Sequence, residues 1–231
     1  AGAEIEKLTA SGAGRQIVEP RLVATGAGMV DPVRGLCSIS SAEVLTATMS
    51  LRTGGLVLRS TAPPAAALDR VRGKLQWQAD VARLEKWLVP LATAEAWPAA
   101  GRAWGTLEVI DTPAGTNLLV DATGNQLTLA RGRSSGGVER MWVEPRARLL
   151  VEVTRPSATE GSDRLVVNRV SLDSATFAVA AAGGVDDLST RQVATLAGTA
   201  TYDWDLVSRL LTPVTGGRLR LTGAGSRPVM V

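Results

Sequence analysis

The chain has 231 residues, 45% hydrophobic and 20% charged, which suits an ordered segment able to bury a sizeable core. It holds no His and one cysteine, Cys37, which excludes a His-based triad, a His-ligated metal, an internal disulfide and a Cys-rich zinc site. Its 25 basic and 22 acidic side chains leave a net charge of +3, and the densest basic run, Arg131 to Arg148, is interrupted by Glu139 and Glu144, which argues against nucleic-acid binding.

In chain order, Ala3 to Ser11 reads as a first strand and Gln16 to Thr25 as a second. Pro20 within the second cannot donate to a ladder and marks a bulge, an edge or a strand start. Leu36 to Ser40 and Val44 to Leu51 follow as strands, with Cys37 a buried small side chain in an apolar-alternating run. Val71 to Trp77 is the next strand. Asp80 then reads as an N-cap for a helix of about three turns whose apolar face is Val81, Leu84, Trp87 and Leu88, ended by Pro90. Beyond it lies a meander: Ala103 to Ile110, Asn117 to Val120, Gln126 to Arg131 and Val138 to Val143, with Pro113-Ala114-Gly115, Thr123-Gly124-Asn125 and Ser134 to Gly137 as turns. Arg148 to Thr154, Leu165 to Val170 and Thr176 to Ala180 continue the pattern up to Gly183-Gly184.

Two stretches repeat. Gly73 to Val81 reappears as Gly198 to Leu206, and Val18-Glu19-Pro20-Arg21 reappears as Val143-Glu144-Pro145-Arg146, both 125 residues on. Two motifs at one spacing indicate an internal duplication, with residues 1–125 as a first β-rich repeat and 126–231 as a second, incomplete one in one continuous sheet. In each copy a strand ends in an aromatic, Trp77 or Tyr202, and an acidic residue, Asp80 or Asp205, opens a short helix. The second helix presents Leu206, Leu210 and Leu211 and stops at Pro213.

Several strands alternate an apolar with a polar face. Leu107, Val109, Leu118, Val120, Leu127, Leu129, Leu149, Val151 and Val153 recur at every second position and form apolar stripes. With so few helices, such a sheet either folds over on itself or leaves a groove lined with hydrocarbon. The acidic pairs Asp186-Asp187 and Asp203 with Asp205 are the candidates for carboxylate or hard-metal chemistry. Their plainer readings are a turn and a helix start.

The duplicated unit resembles the repeats of AsmA-like proteins, the bacterial superfamily that includes TamB, and more narrowly the very large AsmA-like proteins of planctomycete-type bacteria. Carrying the resemblance are Tyr202-Asp203-Trp204-Asp205-Leu206 with Leu210-Leu211, Gly217 to Gly223, and Ser226-Arg227-Pro228. Trp77-Gln78-Ala79-Asp80 in the first copy departs from that pattern. The resemblance implies a mainly β chain: an elongated, curved antiparallel sheet with a hydrophobic groove and a short helix inserted once per repeat. It further implies a non-enzymatic envelope protein without cofactors, anchored in the inner membrane by a segment outside this chain. Such a protein would reach toward the outer membrane through the periplasm, with phospholipid acyl chains as its cargo. The other reading is a repetitive scaffold or adhesion module with a sealed core and no ligand.

Overall fold

Strands form wherever apolar and polar residues alternate, and they break where a side chain or a proline takes over the backbone amides. The computed structural model describes residues 1–6, 8–12, 15–59, 71–88, 99–132, 138–156, 164–188, 193–206, 208 and 222–230. The strands of the first half are β1 (Gly2–Ile5), β2 (Leu8–Gly12), β3 (Arg15–Glu19), β4 (Leu22–Asp31), β5 (Leu36–Thr46), β6 (Met49–Thr53), β7 (Leu56–Arg59) and β8 (Val71–Asp80). Helix α1 (Val81–Leu88) and strand β9 (Ala99–Thr112) follow. Then come β10 (Gly115–Gly132), β11 (Val138–Pro156), β12 (Arg164–Ser174), β13 (Phe177–Asp186), β14 (Val193–Asp203) and β15 (Ala224–Met230). Residues 204–206 and 208 are helical.

The chain is mainly β. Thirteen strands form one antiparallel sheet in the order β1-β4-β5-β6-β8-β9-β10-β11-β12-β13-β14-β15, with β7 bridging β5 and β8. β2 and β3 pair as a separate hairpin. Sequence neighbours are mostly spatial neighbours, so the sheet extends in chain order from one edge, β1, to the other, β15. Register shifts interrupt the ladders between Ala27 and Gly28, Asn125 and Thr128, Leu129 and Ala130, and Val167 and Val170. Such bulges bend and twist the strands that carry them.

The strand boundaries differ from the sequence reading at definite places. The first expected strand breaks after Ile5, and the second breaks at Pro20 into β3 and β4. Val44 to Leu51 is not one strand, because the chain turns at Ala47-Thr48, whose polar groups bond to Glu19. Thr123-Gly124-Asn125 is not a turn, and β10 runs straight through it. Between Gly115 and Leu129 the only residue absent from the β10–β11 ladder is Gln126, which would face Pro145. Proline has no N–H to offer, and Gln126 swings to φ 50°, so the strand bulges instead of ending. Val138 to Val143 and Arg148 to Thr154 likewise merge into β11, and Gly183-Gly184 lies within β13. The expected division after residue 125 falls inside β10, beside this bulge.

The pairing of β10 to β14 follows that of β1 to β8, with β10 standing where β1 and β2 do, β11 where β3 and β4 do, and β13 where β6 and β7 do. Leu8 pairs with Glu19 as Leu127 pairs with Glu144. Thr46 Oγ1 accepts the amide of Met49 as Ser174 Oγ accepts that of Phe177. Both β8 and β14 run directly into helix. The Asp80 carboxylate accepts the amides of Ala82 and Arg83, and Asp203 accepts that of Leu206. The second cap is therefore Asp203 and not Asp205, whose Oδ2 accepts the Gly223 amide instead. The side chains of Trp87 and Leu88, the stops at Pro90 and Pro213, Leu210 with Leu211, and Gly217 to Leu221 lie outside the described residues.

Candidate functional site: the apolar face of the sheet

Cross-strand partners point to the same side of a sheet, so the register alone shows which side chains share a face. One row runs Val44, Leu51, Trp77, Gly105, Ala122, Leu149, Leu172, Val179, Ala200. A second runs Leu75, Leu107, Val120, Val151, Val170, Ala181, Gly198. A third runs Gly73, Val109, Leu118, Val153, Val167, Gly183, Leu196. Seven of the nine stripe residues thus lie on one face, in adjacent rows. At roughly 4.8 Å per strand, the first row extends about 38 Å, longer than the ~30 Å hydrocarbon core of a bilayer.

Leu127 and Leu129 join this face past the bulge. A Cβ placed on Gly124 would lie 2.6 Å from Leu127 Cδ1, so the leucine folds over the bare glycine, which is buried beneath it. Leu129 pairs with Trp142, whose Nε1–H donates to Thr176.

Burial along the face is intermediate. Val109 is 2% exposed, Val153 9% and Leu149 36%; the other six are part-buried. Among the described residues the buried apolar side chains are only Ala79, Val109, Ala130, Val153, Val167 and Ala200, none larger than valine. A sandwich core of this size would bury its leucines, isoleucines and aromatics. Apart from the β2–β3 hairpin, every described strand belongs to one hydrogen-bonded sheet.

The opposite face is mostly polar, with Leu45, Ile110, Leu119 and Leu150 among its side chains. On β8, Lys74, Gln76 and Gln78 are exposed while Leu75 and Trp77 between them are part-buried. Cross-strand ion pairs tie this face together: Arg52 to Glu43 at 2.6 Å, Lys74 to Glu108 at 3.6 Å and Arg148 to Asp121 at 2.7 Å. The Arg148 guanidinium donates twice to Asp121 and holds that carboxyl below its usual range, while the arginine is shifted up. On the apolar side, the row beyond Val109 and Leu118 turns polar at Asp111, Thr116 and Arg155, and Arg72 bridges to Asp111 at 2.7 Å. The hydrocarbon band therefore has a charged rim.

Trp77 and Tyr202 are both part-buried, but they are not equivalent relative to the helices. Two residues, Gln78 and Ala79, separate Trp77 from its cap Asp80, whereas Tyr202 directly precedes Asp203. What they share is a glycine opposite: Trp77 faces Gly105 and Tyr202 faces Gly225, each ring lying against the missing side chain. Tyr202 also meets Trp204, ring centroids 4.3 Å apart.

Sequence reasoning missed the deepest side chains. Glu19 and Glu144, taken only as repeat markers, are 1% and 0% exposed. Their recurrence before proline in both copies was the available signal.

Asp186 pairs with Arg164 at 3.2 Å, and Asp187, at φ 54°, follows the end of β13. Among the described residues no three His, Cys, Asp or Glu gather as a metal site, and no helix is long and apolar enough to cross a membrane. Cys37 is part-buried. Comparison with protein-family models, curated proteins and solved structures finds no match for this chain.

Proposed function

We propose that this chain is a non-enzymatic segment of a bacterial envelope protein whose apolar sheet face holds phospholipid acyl chains, in the manner of the AsmA-like proteins its repeat resembles. In that role it would conduct lipid between the inner and outer membranes, anchored through a segment outside this chain. The observation that carries the reading is the continuity of the three apolar rows across one hydrogen-bonded sheet, in which Val109, Val153, Val167 and Ala200 are the only buried side chains of those rows among the described residues. Each methylene removed from water there is worth about 0.8 kcal/mol, so ten of them supply roughly 8 kcal/mol before ordering costs. An acyl chain is just as dry in a bilayer. Exchange between sheet and bilayer is therefore close to balanced, which suits a conduit better than a tight carrier. The polar rim at Asp111, Thr116 and Arg155 gives a polar headgroup a place at the border of the band.

The scaffold reading makes the same side chains a sealed core, and Val120→Asp separates the two. Val120 sits between Leu107 and Val151 and is part-buried. On an open face the variant folds, with a wild-type circular dichroism spectrum, and loses the phospholipid that wild type takes up from phosphatidylethanolamine vesicles. In a sealed core the buried charge abolishes folding. Wild-type protein that is folded yet carries no phospholipid and takes none from vesicles overturns the proposal.

A further inference from the structure

The polar face holds a feature that the lipid reading does not use. Between β6, β8, β9 and β10 lies a cleft of about 400 Å³, lined by Ser50, Arg52, Gln76, Gln78, Trp104, Thr106, Asp121 and Thr123. Its floor is the backbone of Trp77 and Gly105, whose Cβ positions point to the apolar side. Trp104 stands opposite Gln78 on one strand and Thr123 on the other, and it is 40% exposed. With two-fifths of its surface in water, the indole leaves apolar area uncovered, as Leu45 and Ile110 do elsewhere on this face.

The charges in this cleft are already matched. Arg52 is engaged by Glu43 and Asp121 by Arg148, both at hydrogen-bonding distance. What faces the opening without a side-chain partner among the described residues is uncharged: the amides of Gln76 and Gln78 and the hydroxyls of Ser50, Thr106 and Thr123, gathered around the indole. A ligand fitting this set is neutral, carries several hydroxyls that both donate and accept, and has a flat C–H surface to lay on the electron-rich ring face. A pyranose ring has those properties, and the volume falls in the range of small-molecule sites.

We propose that the polar face of the sheet is a saccharide-binding platform, with Trp104 as the stacking surface and Gln76, Gln78 and Thr123 as the hydroxyl-reading groups. The site is independent of the lipid face: it lies on the other side of the sheet and takes a ligand of opposite character. A single-stranded nucleic acid would also stack on an indole, but it needs cations to neutralise its phosphates, and Arg52, the arginine that lines the cleft, is held by Glu43.

The test is a titration of the purified chain, followed by tryptophan fluorescence and calorimetry. The probes are soluble oligosaccharides of β-linked glucose, α-linked glucose and β-linked N-acetylglucosamine. Saturable binding of at least one is expected. Trp104→Ala should weaken it about tenfold or more and Gln78→Ala several-fold, with both variants keeping the wild-type melting temperature. Added salt should leave the affinity unchanged, as for a neutral ligand. Should Trp104→Ala fail to fold, Gln76→Ala with Gln78→Ala reads the same site. Binding to none of the three probes overturns the proposal. So does equal affinity in the cleft variants, or binding only to a single-stranded oligonucleotide with steep salt dependence.

Discussion

The carboxylate of Glu144 accepts the backbone amide of Ala175 at 3.0 Å, and Glu19, 125 residues earlier, accepts that of Ala47 at the same distance. Each glutamate reaches from one strand pair to the hairpin turn of the next, where Thr176 or Thr48 supplies a further donor. Glu144→Ala should leave the Ala175 and Thr176 amides without their acceptor and cost about 1–3 kcal/mol, read as a lower urea midpoint. Glu144→Gln retains one carbonyl oxygen and should cost less. An unchanged midpoint in Glu144→Ala would remove the clamp from the account.

The same carboxyl sets an acid sensitivity. Burial, the largest influence on Glu144, would raise its pKa, but the hydrogen bonds from Ala175, Thr176 and Ser174 together outweigh it and the group sits below its ordinary value. A depressed carboxyl contributes stability that is present above the unfolded pKa, about 4.3, and is lost as pH falls through the folded one. Melting temperatures measured from about pH 7 down to about pH 3 should fall in the acid limb, less steeply for Glu144→Gln than for wild type. Parallel limbs would assign the acid loss to other carboxylates.

The helix caps separate what the sequence aligned from what the backbone uses. Asp80→Ala and Asp203→Ala should each lower stability by about 0.5–2 kcal/mol, and Asp205→Ala by less, since Asp205 holds only the exposed Gly223 amide. A larger loss for Asp205 than for Asp203 would restore the cap position expected from the repeat.

Glycine close approaches offer a steric test. A Cβ on Gly198 would meet the Ala180 carbonyl oxygen at 2.0 Å and Ala181 Cα at 2.6 Å, both backbone. On Gly225 the nearest atom would be the Tyr202 hydroxyl at 3.5 Å. Gly198→Ala should therefore destabilise by about 1–3 kcal/mol, while Gly225→Ala stays within about 0.5 kcal/mol. Equal thermal melts for the two would contradict the β13–β14 register.

Much of the fold was legible in the sequence. Alternation gave the strands and the two dry stripes on β10 and β11, and Asp80 announced α1 correctly, because these are local signals. Two kinds of feature were not legible. Strand ends depend on partners far along the chain: nothing local to Ala47-Thr48 says that Glu19 will take its amide. Gly124-Asn125 looks like a turn until Pro145 lies across from Gln126 and the strand carries on through a bulge. The repeat was detected through Trp77 and Tyr202, but their distance to the cap differs by two residues. A period-two shift keeps a side chain on its face while moving it along the strand, and sequence alignment does not see that. The cleft around Trp104 is assembled across four strands, so its residue types are visible in the sequence and their meeting is not.

The most direct test of the central claim is face-specific photo-crosslinking. A photoreactive phenylalanine analogue is placed in turn at Val151 and Leu107, on the apolar face, and at Glu152 and Gln76, on the polar one. Each protein is incubated with radiolabelled phospholipid vesicles and irradiated. Lipid adducts are expected at Val151 and Leu107 and none at Glu152 or Gln76. Adducts of equal yield on both faces, or none at Val151 and Leu107 in folded protein, would contradict the claim.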